Sequence, residues 1–134
     1  MLIRKYEKED FEDVFWLQRV CYLKPCTREE LRYKLAGPAW VGCDTEVMGA
    51  VICSEVNNVP WIWSLTVAPP ARNQGLGNKL MAAVEEHYSG KEIRLYVDSQ
   101  NPAEKLYRHR GYATSQVLKD FYGPGYDAIE MFRS

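Results

Sequence analysis

The chain lacks what marks membrane-spanning, metal-binding and nucleic-acid-binding proteins. No apolar run approaches the ~18–20 residues needed to cross a bilayer. The start, Met1-Leu2-Ile3-Arg4-Lys5-Tyr6-Glu7, passes from apolar to charged residues and carries no apolar signal core. No membrane partner is expected. Cysteine is scarce: Cys21, Cys26, Cys43 and Cys53 form no Cys-x-x-Cys pair, and only His87 and His109 could join them. That argues against a zinc site. It points instead to reduced thiols in a cytoplasmic setting, with Cys43 and Cys53 buried in strand-like runs. Neither charge sign dominates, since 17 Lys and Arg against 18 Asp and Glu leave a formal charge of −1. A nucleic acid held by phosphate contacts is therefore not expected. Repeats and low-complexity tracts are absent too. What remains is 134 residues, 46% hydrophobic and 26% charged, which suits one globular domain over residues 1–134.

Periodicity and punctuation divide this domain into elements. Leu2 to Tyr6 reads as a short strand. Phe11, Val14, Phe15, Gln18 and Cys21 then share one helical face. Pro25 ends that stretch, and Thr27 opens a second helix with Glu30 completing a capping box. Ala39–Cys43 and Val47–Val56 read as a hairpin. Trp61 to Val67 alternates, with Trp61, Trp63, Leu65 and Val67 on one face and Ile62, Ser64 and Thr66 on the other. A loop leads into a helix carrying Leu76, Leu80, Ala83 and Val84. Lys91–Asp98 reads as a strand with Ile93, Leu95 and Val97 inward. Asn101, Pro102 and Glu104 then read as cap, first residue and capping-box partner of another helix, which Gly111 ends. Strands near Ala113–Leu118 and Asp127–Phe132 close the chain. Helices interleaved with a mixed sheet define an α/β (α+β) class, with helices on both faces.

One segment carries chemistry. Val67-Ala68-Pro69-Pro70-Ala71-Arg72-Asn73-Gln74-Gly75-Leu76-Gly77 joins a strand to a helix. Gly75 and Gly77 let a backbone approach a ligand. The amides of residues 73 to 77 would point out of a helix start, where the dipole favours anions. This is a phosphate cradle, or else an ordinary strand-to-helix turn. It is not a P-loop, because no Gly-Lys-Ser/Thr follows, and the first glycine of the dinucleotide fingerprint is missing. Tyr107 falls on the inner face of its helix with Ala103 and Leu106, where on its own it reads as a core tyrosine.

Two motifs in this order resemble the GNAT (Gcn5-related N-acetyltransferase) superfamily. Arg72-Asn73-Gln74-Gly75-Leu76-Gly77 is similar to that family's acetyl-CoA pyrophosphate loop, Q/R-x-x-G-x-G/A. Ala103-Glu104-Lys105-Leu106-Tyr107-Arg108-His109-Arg110-Gly111-Tyr112 is similar to its A-x-x-L-Y-x-x-x-G-F/Y. The tail, Phe121-Tyr122-Gly123-Pro124-Gly125-Tyr126-Asp127-Ala128-Ile129-Glu130-Met131, resembles the RimI-like branch, which acetylates protein N-termini. Pro25-Cys26-Thr27 is similar to that branch's substrate loop. The resemblance implies a mostly antiparallel sheet of six to seven strands. It also implies acetyl-CoA as cosubstrate, no metal, and direct attack by a primary amine. The acceptor implied is a protein N-terminus, with a small amine as alternative and a weakly catalytic CoA-binding module as the non-enzyme reading. Arg72, Asn73, Gln74, Gly75, Leu76, Gly77 and Asn78 are then expected to hold the pyrophosphate. The backbone of Leu65, Thr66 and Val67 would meet the pantetheine arm, with either Gln100 or Asn101. Tyr107 would protonate the leaving thiolate, and Trp61, Tyr96, Tyr122 and Tyr126 would line the acceptor site.

The sequence departs from the family in two respects: the loop before the last helix is one residue short, so that the family's cofactor-arm asparagine is matched by either Gln100 or Asn101, and the usual base is missing. The strand position implied for a Glu or His base holds Tyr96, and the tyrosine of some relatives is matched by Trp61. Asp98, Glu55 and Glu46 read as surface charges. A free α-amine, with a pKa near ~7.7–8.0, is on the order of a tenth neutral at pH 7, whereas a lysine near ~10.4 is almost wholly charged. A site without a strong base therefore suits an α-amine.

Overall fold

In the computed structural model, which describes residues 1–22 and 24–134, the strands and α-helices follow in the expected order. They are β1 (Leu2–Lys5), α1 (Phe11–Cys21), α2 (Arg28–Lys34), β2 (Ala39–Cys43), β3 (Val47–Val56), β4 (Val59–Val67), α3 (Leu76–His87), β5 (Ile93–Asp98), α4 (Ala103–His109), β6 (Ala113–Leu118) and β7 (Ala128–Arg133). Local chemistry sets several boundaries. Thr27 Oγ1 accepts from the Glu30 amide at 3.1 Å, and Glu30 returns the bond to the Thr27 amide at 3.0 Å. The capping box of α2 is thus formed as expected. The one expected at α4 is not. Asn101 Oδ1 does cap, accepting from the Ala103 amide at 2.9 Å. The Asn101 amide, however, already donates to Asp98 O, so Glu104 turns to Arg108 instead, at 2.8 Å.

The seven strands form one sheet in the order β1-β2-β3-β4-β5-β7-β6. Among the described residues only β4 and β5 pair in parallel, and the last strand in sequence inserts between β5 and β6. α1 and α2 cover one face, over Val41, Ala50 and Ile52. α3 and α4 cover the other, over Val51, Cys53, Ile62 and Leu95. Two expectations about burial change. In α1 the innermost residues are Val14, Leu17 and Gln18. Phe11 and Phe15 lie farther out, stacked at 6.2 Å, with Arg32 over Phe11 and Arg28 over Phe15. Cys43, at the end of β2, is half-buried; Cys53 is fully buried, and burial pushes its thiol up to about 12.

The alternation along β4 is also interrupted. Ile52 pairs with Ser64 but Cys53 pairs with Ile62, so Trp63 is an extra residue in β4. This bulge shifts the pleat. Ile62, Leu65 and Val67 go to the α3 side, while Trp63 packs with the α1/α2 cluster. Ser64 and Thr66, the polar-looking positions, are among the most buried residues of the strand.

Leu80 packs at the centre of the α3 side with no exposed surface, 3.2 Å from where a Cβ on Gly49 would lie. Leu80→Ala is expected to cost about 2–5 kcal/mol in urea unfolding, because the hydrogen-bonded strands behind it cannot move in to close the gap. A loss under about 1 kcal/mol would mean that the sheet does relax into it.

Candidate active site

The parallel pairing of β4 and β5 spans only Trp61 with Arg94 and Ile62 with Leu95. Beyond these residues the strands part. The bulge at Trp63 turns β4 just where the ladder ends. The backbone of Leu65 to Val67 is thereby left along an open groove of roughly 1670 Å³. That exceeds a usual small-ligand pocket of about 300–1,000 Å³ and gives room for a long ligand and a second reactant.

The loop at one end of this groove is a short 3-10 turn, Pro69–Ala71, followed by two left-handed residues, Asn73 at φ 63° and Gly75 at φ 78°. Alternation of this kind gathers backbone N–H groups into an anion-binding nest. α3 starts immediately after it. Its first internal bond runs from the Lys79 amide to Gly75 O at 3.1 Å, so the amides of Leu76, Gly77 and Asn78 come before it. Gly75 has open space around it: a Cβ there would meet nothing within 4 Å. Gly77 has a packing role besides the one expected. A Cβ there would lie 2.9 Å from Leu106 Cδ1, so Gly77 lets α3 and α4 pack closely.

Most of the expected binding residues line the groove: Leu65, Val67, Arg72, Asn73, Gly75, Leu76, Gly77, Asn78, Gln100 and Asn101. Two do not. Thr66 points its side chain away, with its hydroxyl 3.4 Å from Ala50 O. Gln74 folds back to donate to Pro70 O at 3.0 Å. Arg72 is turned toward β4, where its Nε donates to Val67 O at 3.1 Å. Asn78 Oδ1 accepts from Arg110 at 3.2 Å. Both candidates for the cofactor arm have local partners: Gln100 donates to Gly125 O at 3.2 Å, and Asn101 caps α4.

Tyr107 projects from α4 into the floor of the groove and packs edge-on against Tyr112 at 5.9 Å. Burial, and then the nearby Tyr22, push its hydroxyl far above the ordinary tyrosine range. The group is therefore protonated at any working pH, as a proton donor must be. Tyr22 was not legible as a site residue. It sits one residue past α1, where the helical period stops, yet it lines the groove. Its hydroxyl lies 3.0 Å from Ser64 Oγ, which accepts from Gln18 Nε2 at 2.8 Å, and it also bonds the Leu65 backbone. A polar cluster thus stands opposite Tyr107 in an otherwise apolar core.

Aromatic rings form the mouth. Trp61 stacks on Tyr96 at 5.1 Å, Tyr96 on Phe121 at 6.1 Å, and Tyr122 meets Phe121 edge-on at 5.0 Å. Tyr126 lines the same groove. The loop bearing these tyrosines is tied down, because the Tyr122 amide donates to Tyr126 O and the Ser99 amide to Asp127 O. Trp61, Tyr96, Tyr122 and Tyr126 are thus brought together as expected. Glu46 and Glu55 are exposed, as expected; Asp98 is half-buried and accepts from the Gln100 amide.

A family profile described as "Acetyltransferase (GNAT) family" matches residues 6–112. The chain belongs to the GNAT acetyltransferase family. This GNAT chain is 36% identical over 73 residues to an N-alpha-acetyltransferase of Sulfurisphaera tokodaii, covering 51% of this chain and 44% of that protein. It spans only 9% of the length of the mouse and human cysteine-rich protein 2-binding proteins, to which it is 32% identical over 69 residues. Among solved structures, the ribosomal-protein-S18-alanine N-acetyltransferase of Escherichia coli superposes with a TM-score of 0.86 at 18% identity, covering 98% of this chain and 92% of that one. An aminoglycoside 6'-N-acetyltransferase complexed with coenzyme A superposes with a TM-score of 0.89 at 16% identity, covering 99% and 96%. The GNAT fold is therefore common to chains whose names give different acceptors, a protein alanine in one and an aminoglycoside in the other. Among the described residues, no group of His, Cys, Asp and Glu is arranged to hold a metal ion. No helix there is long and apolar enough to cross a membrane.

Proposed function

We propose that this chain transfers the acetyl group of acetyl-CoA to the α-amine of a protein or peptide N-terminus. The observation that carries the reading is the groove itself. An anion nest lies at one end, a protonated tyrosine at the floor and an aromatic mouth at the other end, along a stretch of β4 that β5 leaves unpaired. The pyrophosphate would sit on the amides at Asn73 to Asn78, and the pantetheine arm along Leu65 to Val67. The amine nitrogen attacks the thioester carbonyl. Its carbon–sulfur bond then breaks, and Tyr107 gives its proton to the departing sulfur. Binding both reactants in one groove supplies the orientation, and the β4 amides stabilise the charge that develops on the carbonyl oxygen. Tyr96 and Trp61 stand where a strong base would be needed for a lysine. An α-amine, already about a tenth neutral at pH 7, loses its remaining proton to water. The free thiols fit the cytoplasmic setting we propose for it.

The test is a panel assayed by CoA release. It contains hexapeptides with a free α-amine and one internal lysine, their N-blocked counterparts, a diamine, a polyamine and an aminoglycoside. Free-amine peptides are expected to turn over and N-blocked ones not, with mass spectrometry placing the acetyl group on the terminal nitrogen. Acetyl groups on internal lysines, or turnover confined to the small amines, would refute the α-amine reading.

A further inference from the structure

Glu130 is a buried carboxylate that the reaction above does not use. It stands on β7 with 7% of its surface exposed. Its partner across the ladder is Tyr96 of β5. Directly opposed residues of antiparallel strands leave the sheet on the same face, so Glu130 stands beside the ring that forms part of the groove's mouth. The groups around it come from three strands. From β6, the Ser115 hydroxyl donates to it and Gln116 approaches it. From β5, Tyr96 approaches it, and Arg94 Nη1 is 3.9 Å away. Arg94 makes its shorter contact, 2.6 Å, with Glu92. Glu92, Arg94 and Glu130 together therefore keep one negative charge beneath Tyr96.

The hydrogen bond from Ser115 is the largest cause holding Glu130 below the usual carboxylate range, against the opposing effect of burial. The carboxylate is thus ionised at any working pH, and an ionised carboxylate only accepts hydrogen bonds. Tyr96 responds in the complementary sense: burial first, and then Glu130, raise its hydroxyl above the ordinary value. Across the ladder from an acceptor-only carboxylate, the Tyr96 hydroxyl is favoured electrostatically to turn its proton toward Glu130 and its lone pairs toward the groove. An N–H of a primary amine is the group that fits them. The rings of Trp61 and Phe121 on either side restrict Tyr96 and offer π faces that also favour a cation.

We propose that Glu130 is a positioning residue for the acceptor amine: through Tyr96 it presents an oxygen of fixed orientation, backed by a buried negative charge, to the nitrogen that attacks the thioester. Glu130 is too weak a base to take the amine's proton, which leaves through water. The proposal rests on the groove being an amine acetyltransferase site, and not on the acceptor being a peptide.

The experiment uses Glu130→Gln, which keeps the shape and removes the charge, with the free-amine hexapeptides and small amines of the panel as probes. Acceptor KM is expected to rise about 5- to 20-fold, while kcat at saturating acceptor and the KM for acetyl-CoA stay nearly constant. The double variant Tyr96→Phe/Glu130→Gln should behave like Tyr96→Phe alone, because the second change has nothing left to act through. One readout needs no acceptor. In protein carrying 13C-labelled tyrosine, the Tyr96 hydroxyl should titrate at lower pH in Glu130→Gln than in wild type, since the charge that opposes the phenolate is gone. An unchanged acceptor KM, additive effects in the double variant, or an unmoved Tyr96 titration each overturns the proposal. If only small amines turn over, the α-amine reading fails and Glu130 is judged on those amines by the same criteria. If nothing turns over, the titration alone decides. If Glu130→Gln does not melt like wild type, Tyr96→Phe carries the test: it should raise acceptor KM to a similar degree, and an unchanged KM overturns the idea.

Discussion

Tyr107→Phe is expected to lower kcat by about 10- to 1,000-fold while acetyl-CoA affinity changes less than about two-fold. The ring is retained, so packing against Tyr112 should survive and only the hydroxyl is lost. General acid catalysis is typically worth ~10²–10⁴-fold. The lower end applies here because a thiolate with a conjugate-acid pKa near ~8.5 departs without full protonation. The pyrophosphate nest and the β4 backbone are untouched, so calorimetry should return near wild-type cofactor affinity. Wild-type turnover would reduce Tyr107 to a core tyrosine. Joint loss of rate and cofactor binding would make it a binding or structural residue. The second outcome has a route through the side chain itself, which is buried in the groove's floor and packs against Tyr112. A circular dichroism melt of the variant therefore belongs beside the kinetics.

Gly75→Val should abolish the stabilisation that acetyl-CoA confers. Wild-type protein with cofactor at a hundred times its Kd gains about 2.7 kcal/mol, a shift in Tm on the order of 10 °C for a domain of this size. At φ 78° a β-branched residue is strained by about 1–2 kcal/mol. The nest then either opens or carries methyl groups among its amides. Gly90 supplies the control. It has φ 82° and equally open surroundings, but lies in the turn between α3 and β5, away from the groove. Gly90→Val should cost similar stability and keep the full cofactor shift. A normal shift in Gly75→Val would remove the loop from the cofactor site. A shift lost in both variants would tie the effect to strain alone.

The readable parts of this protein are those in which short-range chemistry decides. Thr27 and Glu30 lie three residues apart and close their own capping box. Ala39–Cys43, Val47–Val56 and Ala113–Leu118 begin and end as their turn residues dictate. The nest is local too, since Asn73 and Gly75 adopt left-handed conformations within one loop. Tyr107 was recognisable because its motif lies wholly within α4 and the turn after it. Errors appeared where a local rule had a competitor. Glu104 satisfies the spacing of a capping box, but the amide it would have bonded already had a partner in Asp98.

Tertiary pairing decided the rest. The bulge at Trp63 depends on the register of β4 against β3, and that register puts Ile62 on the α3 side and Trp63 with α1 and α2, while burial itself still alternates along β4. Tyr22 reaches the groove because Gln18 of α1 and Ser64 of β4 meet across 46 residues of sequence. Glu130 stands behind Tyr96 because β7 enters the sheet between β5 and β6, out of chain order. Chain order and side-chain period report which residues can face inward; partners distant in sequence are chosen by register and by strand insertion, which depend on the packing of the whole sheet. The nest end of the groove, built from one loop and one helix start, was therefore evident from the amino acids alone. The aromatic residues of the other end were named from the sequence too, but how they meet, and that Glu130 stands beside Tyr96, came from the pairing of β4, β5 and β7.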